Sequence, residues 1–202
     1  MIRNIIFDMG QVLIHWTPEL VTEALGLKEA DRELLHREAF TRGEWEKLDD
    51  GSSTEEEVAA AISSRLPQHL HPAAEWLVSH WFEKALIPME GMWELVEELK
   101  TRGYGIYLLS NAGVSLRKYF NRIPGSRSFV GRYVSAEHKL IKPDREIYLD
   151  FLRIFDLKAE ECIFIDDRPV NLAGAEAVGI RGIQFMDSAE LLHTQLEEMG
   201  IL

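Results

Sequence analysis

Five short apolar runs constrain the fold of this chain more than anything else in its sequence: Asn4–Asp8, Gly105–Leu109, Arg132–Val134, Cys162–Asp166 and Gly182–Phe185. They are rich in Ile, Val, Phe and Tyr and too short to stand as independent helices, so they read as strands. Between and after them come helical patterns at Glu90–Arg102, Val114–Arg122, Arg145–Phe155, Asn171–Val178 and Ser188–Met199. Strands that alternate with helices imply a parallel sheet covered on both faces, an α/β fold. Gly103, Gly179 and Gly200 stand just past the expected helix ends, where a left-handed cap belongs.

The first two of these strands are separated by a long stretch with no convincing strand of its own. Thr17-Pro18 reads as an N-cap followed by proline in the first helical turn. Lys28–Phe40 is amphipathic, with Leu34, Leu35 and Ala39 among charges. The segment "DDGSST", Asp49–Thr54, reads as a turn, and Thr54 with Glu57 forms a capping box for the next helix. Pro72 opens a further helix through Leu86. A helical cap inserted after strand 1 is therefore expected, with residues 1–14 and 87–202 forming the core and residues 15–86 the cap.

Composition narrows the partners. The 202 residues suffice for one core with an insertion, and 46% apolar with 28% charged residues is ordinary for a soluble globular chain. A formal net charge of −12 argues against nucleic acid and anionic membranes, both of which need a basic surface. No run approaches the length of a membrane span, and the N-terminus lacks a signal-peptide layout. Cys162 is the lone cysteine and opens an apolar strand, so it reads as core, and a reducing cytoplasm is the expected compartment.

Chemistry-bearing residues gather at strand ends, where ligands of a doubly wound sheet bind. Strand 1 ends in Asp8, strand 2 in Ser110-Asn111 and strand 4 in Asp166-Asp167, while Lys142 lies in "KLIKPD" after strand 3. Adjacent carboxylates at a buried strand end repel unless a cation offsets them. An acid, a hydroxyl, a lysine and an acid pair around one crevice suit phosphoryl transfer, with Mg²⁺ on oxygen ligands.

The chain resembles the haloacid dehalogenase-like hydrolase superfamily over its whole length. "IIFDMGQVL" looks like the first motif, "IYLLSNA" the second, "KPDREIY" the third and "CIFIDDRPVNLAGAEAVGI" the fourth. The resemblance implies a Rossmann-like core and an aspartyl intermediate. Asp8 would be the nucleophile, and the Gly10 carbonyl a Mg²⁺ ligand. Ser110 and Lys142 would hold the phosphoryl group with Asn111 in support, and Lys142 would also share the catalytic work. Asp8 and Asp167 would bind the metal directly, and Asp166 would hold the metal or its waters. Asn171 would lie in the outer shell.

Phosphatases of this superfamily usually carry a second aspartate two residues after the nucleophile, and here that position is Gly10. Glycine keeps the carbonyl and loses the acid–base, a loss worth ~10²–10⁴ in rate. The expected activity is a Mg²⁺-dependent phosphatase acting on a small phosphorylated metabolite, with a sugar phosphate, whose oxygen leaves easily, as one candidate. "FDxGxVL" resembles the branch that includes α-D-glucose-1-phosphate phosphatases. The alternatives are a 2-haloacid dehalogenase-type hydrolase, since halide leaves without a proton, and a non-catalytic binding domain. His15 is a candidate proton donor from the cap entrance, Arg42 a weaker candidate for substrate contact, and Trp45, Trp76, Trp81 and Trp93 are expected to pack the cap rather than face a ligand.

Overall fold

The computed structural model describes residues 1–202. Its strands are β1 (Asn4–Phe7), β2 (Ile14–His15), β3 (Ile87–Pro88), β4 (Gly105–Ser110), β5 (Phe129–Val134), β6 (Cys162–Asp166) and β7 (Arg181–Gln184). Five of them form a sheet in the order β5-β4-β1-β6-β7, parallel throughout. The α/β architecture expected from the alternating pattern is present.

Side-chain alternation explains how the sheet is buried on both faces. Ile5 and Phe7 of β1, with Ile163 and Ile165 of β6, enter one hydrophobic cluster. Ile6, Cys162 and Phe164 point the other way and pack with Tyr148 and Phe151 of helix Arg145–Ile154. With helices on both sides, neither strand has a solvated face to carry polar residues, hence their unbroken apolar runs.

Several boundaries differ from expectation for local reasons. β5 begins at Phe129, earlier than Arg132, because it is an edge strand whose Val130 and Arg132 face solvent and blur the apolar signal. The helix expected at Val114–Arg122 contracts to Leu116–Tyr119 and a 3₁₀ turn, Phe120–Arg122. The helix expected from Pro72 starts at His71 and breaks at Trp81, giving His71–His80 and Phe82–Ala85. Ile14 and His15 pair antiparallel with Pro88 and Ile87, a short ribbon that joins the start and end of the insert. Two-residue strands have no periodicity to betray them.

Between β2 and β3 the chain is helical: Pro18–Glu23, Glu29–Phe40, Glu44–Asp49, Glu55–Ser63, His71–His80 and Phe82–Ala85, with one 3₁₀ turn. The Thr17 hydroxyl accepts from Leu20 N at 3.3 Å. Thr54 and Glu57 form the capping box in both directions, at 3.2 and 2.9 Å. Leu35, Val58 and Leu77 of this insert belong to the same cluster as Ile5 and Phe7. The insert therefore shares a continuous apolar core with the residues under one face of the sheet.

Its seat is tight at Gly51, which has φ +69° and would place a Cβ 2.4 Å from the Ala136 carbonyl oxygen. Gly51→Ala is expected to lower stability by at least ~1–2 kcal/mol from the left-handed backbone alone. The urea midpoint measures this; an unchanged midpoint would mean the loop can lift off Ala136 without cost.

Candidate active site

The sheet order places β1 between β4 and β6, and the chain leaves the β4 side to cross to β6, so the crevice lies above their carboxyl ends. Asp8 follows β1 directly, Ser110 ends β4, and Asp166 ends β6 with Asp167 next. Lys142 comes from the loop after β5 and reaches back to the same point. Its Nζ lies 2.8 Å from Asp8 Oδ1 and 2.8 Å from Asp166 Oδ2. Lys142 is 3% exposed and Asp166 fully buried, so this ion pair is shielded from water.

Asn111 sets the lysine's position. Its Nδ2 donates to the Lys142 carbonyl at 2.9 Å, and its Oδ1 accepts from Lys142 N at 2.8 Å. With both ends of the amide engaged, Asn111 acts on Lys142 from the side. Asp166 is equally committed. Oδ1 accepts from Arg168 N at 2.8 Å and Asn171 Nδ2 at 3.0 Å, and Oδ2 from Lys142 Nζ at 2.8 Å and Asn171 Nδ2 at 3.0 Å. Those contacts fill the roughly four acceptor sites of a carboxylate. Asp166 therefore orients Lys142 and Asn171. Ser110 is buried, makes no side-chain hydrogen bond within the protein and lines the crevice.

Charge accounts for the titration of the group. Burial pushes Asp8 up to about 6, with Lys142 pulling down and Asp166 pushing up. Burial opposes the Lys142 ammonium, yet the two carboxylates outweigh it and hold its pKa above the usual value. Asp167 is raised by burial and by Asp166. Carboxylate oxygens of Asp8, Asp166 and Asp167 lie within 4.8 Å of one another. Three carboxylates against one ammonium leave net negative charge in a buried place, and all the donors are hard oxygens, so the residues fit a divalent cation such as Mg²⁺.

The crevice opens into a cavity of about 770 Å³ between core and cap. Asp8, Gly10, Ser110, Asn111, Lys142, Asp167 and Asn171 line it together. His15 does not line it; it pairs with Ile87 in the ribbon, and its neighbour Trp16 takes the wall. Arg42 is on the surface beside Glu38, at 3.4 Å.

Three wall residues were not legible as such. Trp45 stacks on Trp16 and Trp81 lies tilted against it, with ring centroids 5.2 and 4.4 Å away, and both line the cavity as well as packing the insert. Asp49 ends helix Glu44–Asp49 and also lines the cavity, where the sequence shows only a turn. The double acid before glycine was its sole signal. At Gly10, an added Cβ would meet Trp16 at 3.6 Å, an ordinary contact. Space for a side chain exists there, so crowding does not impose the glycine.

Known proteins resemble this chain in sequence and in fold. A sesquiterpene phosphatase of Aspergillus oryzae is 29% identical over 187 residues, spanning 91% of this chain and 89% of that protein. A chloroplast flavin mononucleotide hydrolase of Arabidopsis thaliana is 29% identical over 56% of this chain and 46% of its own length. The crystal structure of a related enzyme from Bacteroides thetaiotaomicron, solved with magnesium and inorganic phosphate, superposes with a TM-score of 0.76 at 22% identity, over 96% of this chain and 99% of that one. The family model described as haloacid dehalogenase-like hydrolase matches residues 2–179, and the chain belongs to that family.

Proposed function

We propose that the protein is a Mg²⁺-dependent phosphatase that acts on a small organic monophosphate through an aspartyl phosphate on Asp8. The observation that carries this reading is the buried Lys142 ammonium between Asp8 and Asp166, with Asp167 completing an acidic group beside it. Displacement of halide has no need of such a cation site. Relatives named as a sesquiterpene phosphatase and a flavin mononucleotide hydrolase support the same class of chemistry.

Held by the Asp8 and Asp167 carboxylates and the Gly10 carbonyl, Mg²⁺ would offset the charge of the phosphoryl oxygens. Asp8 attacks phosphorus in line with the leaving oxygen. The Ser110 hydroxyl and the Lys142 ammonium hold the non-bridging oxygens. Asn111 fixes the Lys142 backbone, and Asp166 aims its ammonium. Residues 1–14 and 87–202 carry this chemistry, and the cap, residues 15–86, selects the body of the substrate.

The wall supports a neutral body. Trp16, Trp45, Trp81 and Tyr119 offer flat apolar faces, which suit the C–H face of a sugar as well as a hydrocarbon. Glu46, Glu56 and Glu57 on the same lining disfavour further anionic groups. A neutral-bodied monophosphate, a sugar 1-phosphate among them, fits better than a nucleoside polyphosphate.

The test is phosphate release from sugar, terpenyl, flavin and nucleotide phosphates, with Mg²⁺ and with EDTA. Release from a neutral-bodied ester that stops in EDTA is expected. Metal-independent halide release from 2-haloacids, with no phosphate from any ester, would overturn the reading. Mg²⁺ should also stabilise the fold, by ~2.7 kcal/mol at a hundredfold excess over its dissociation constant. Asp167→Asn is expected to shrink that gain, measured as the Mg²⁺-induced rise in melting temperature; a full-sized rise would remove Asp167 from the ligand set.

A further inference from the structure

Gly10 leaves the proposed reaction without the usual proton carrier on the core, and the cavity offers few groups to replace it. His15 is off the wall. Lys142 is committed to two carboxylates. Glu55 accepts from Lys118 at 2.9 Å, Glu57 accepts from Thr54 N at 2.9 Å, and Glu46 and Glu56 are exposed to solvent. Tyr119 is buried, which pushes its phenol far above its usual range and leaves it a poor proton donor. Asp49 is different: it lines the cavity, and its carboxylate has no hydrogen bond or ion pair to any protein group.

Asp49 is also held in place from the core side. The Ser135 hydroxyl donates to the Asp49 carbonyl at 2.5 Å and accepts from Ala112 N at 2.9 Å. Ala112 lies two residues after Ser110, so one buried hydroxyl ties the Asp49 backbone to the loop leaving β4. Two residues on, Gly51 presses against Ala136. These contacts fix the end of helix Glu44–Asp49 over the crevice when the cap is seated and leave the carboxylate free.

We propose that Asp49 is the proton donor and acceptor of this enzyme, supplied by the cap in place of the side chain that Gly10 lacks. The inference rests on the phosphatase reading above. In the first step an Asp8 oxygen bonds to phosphorus while the bond from phosphorus to the ester oxygen breaks. That oxygen takes the bond's electron pair and the Asp49 proton, and leaves as the alcohol. In the second step the Asp49 carboxylate takes a proton from water, whose oxygen bonds to phosphorus. The bond from phosphorus to Asp8 then breaks, its electrons return to the Asp8 carboxylate, and inorganic phosphate departs with Asp49 protonated again.

The electrostatic setting is compatible with both roles. Burial, followed by Glu46, Asp50 and Asp8, holds the Asp49 carboxyl well above the ordinary carboxylate range, against a smaller pull from Lys142. A carboxyl held above the ordinary carboxylate range is a better base once ionised, and can give its proton to a leaving oxygen and then take one from water.

The test compares wild type, Asp49→Asn, Asp49→Ala and Asp8→Asn on an alkyl phosphate and on 4-nitrophenyl phosphate, whose leaving group needs no proton. Phosphoenzyme is followed by rapid-quench mass spectrometry. Both Asp49 variants keep the backbone carbonyl that Ser135 holds. They are expected to lose ~10²–10⁴-fold in kcat on the alkyl ester. On 4-nitrophenyl phosphate they should release a burst of nitrophenol and accumulate the Asp8 adduct, since only the second step still needs a base. Adding Gly10→Asp to Asp49→Asn should restore at least tenfold of the lost alkyl-ester rate, which a merely structural role would not allow.

Alkyl-ester turnover within threefold of wild type in either Asp49 variant overturns the role of Asp49. So does an equal loss on both esters without adduct. If wild type itself forms no phosphate or Asp8 adduct from any ester, the phosphatase reading fails first, a separate result.

Discussion

Asp8→Asn is expected to abolish phosphate release, with a fall of ~10⁴–10⁶-fold in kcat, the range seen when a nucleophile is removed. An amide cannot attack phosphorus, and neither of the acids that end β6 is free to replace it. Asp166 has its acceptor sites occupied, and Asp167 is directed to the cation in this reading. The fold should survive the change. Burial already pushes the Asp8 carboxyl up to about 6, so the site does not depend strongly on a charge there. Lys142 retains Asp166 at 2.8 Å. A melting temperature close to wild type, together with lost turnover, is the expected pair of results. Turnover above a hundredth of wild type would remove Asp8 from the nucleophile's role.

Lys142→Met is expected to damage fold and function together. It removes the ammonium that offsets Asp8 and Asp166 in a place where both are buried. Breaking one side of a buried ion pair costs about 3–5 kcal/mol, because the remaining charge stays unpaired. The Asn111 clamp on the backbone of residue 142 is unaffected, since it uses only main-chain atoms. The loop should therefore hold its course while the charge is lost. Losing a donor aimed at the phosphoryl oxygens costs a further ~10²–10³-fold in rate. Mg²⁺ is expected to restore part of the melting temperature, since it offsets the same carboxylates, while turnover stays low. Thermal melts with and without Mg²⁺, beside steady-state rates, separate the two effects. An unchanged melting temperature in EDTA would mean that the carboxylates neutralise themselves by taking up protons.

Much of this was legible before any coordinates. The runs at Asn4–Asp8 and Cys162–Asp166 became β1 and β6 because strands covered on both faces must be apolar at every position. Asp8, Ser110 and Asp166 were legible at strand ends because a strand rises a fixed distance per residue and all five run parallel. Thr17, Thr54 and Glu57 announced their caps through bonds that span only three residues. The β2–β3 ribbon and the division of the helix at Trp81 left no comparable trace. Ribbon residues Ile14 and Ile87 are far apart in the chain, and Trp81 keeps an apolar pattern across its break.

The sequence alone determined the α/β layering, the place of the crevice and the acids, hydroxyl and lysine gathered around it. Each follows from local periodicity and from the direction of parallel strands. Only the tertiary structure decided how those groups share their bonds. Lys142 lies between Asp8 and Asp166, Asn111 grips the Lys142 backbone, and Asp166 is saturated by its neighbours. The fold alone also turned Asp49 from a turn residue into part of the cavity wall. Ser135, 86 residues away, holds its carbonyl, and no local pattern encodes a contact across that distance. Such contacts depend on how the cap packs against the sheet, which is settled by burial of one shared core.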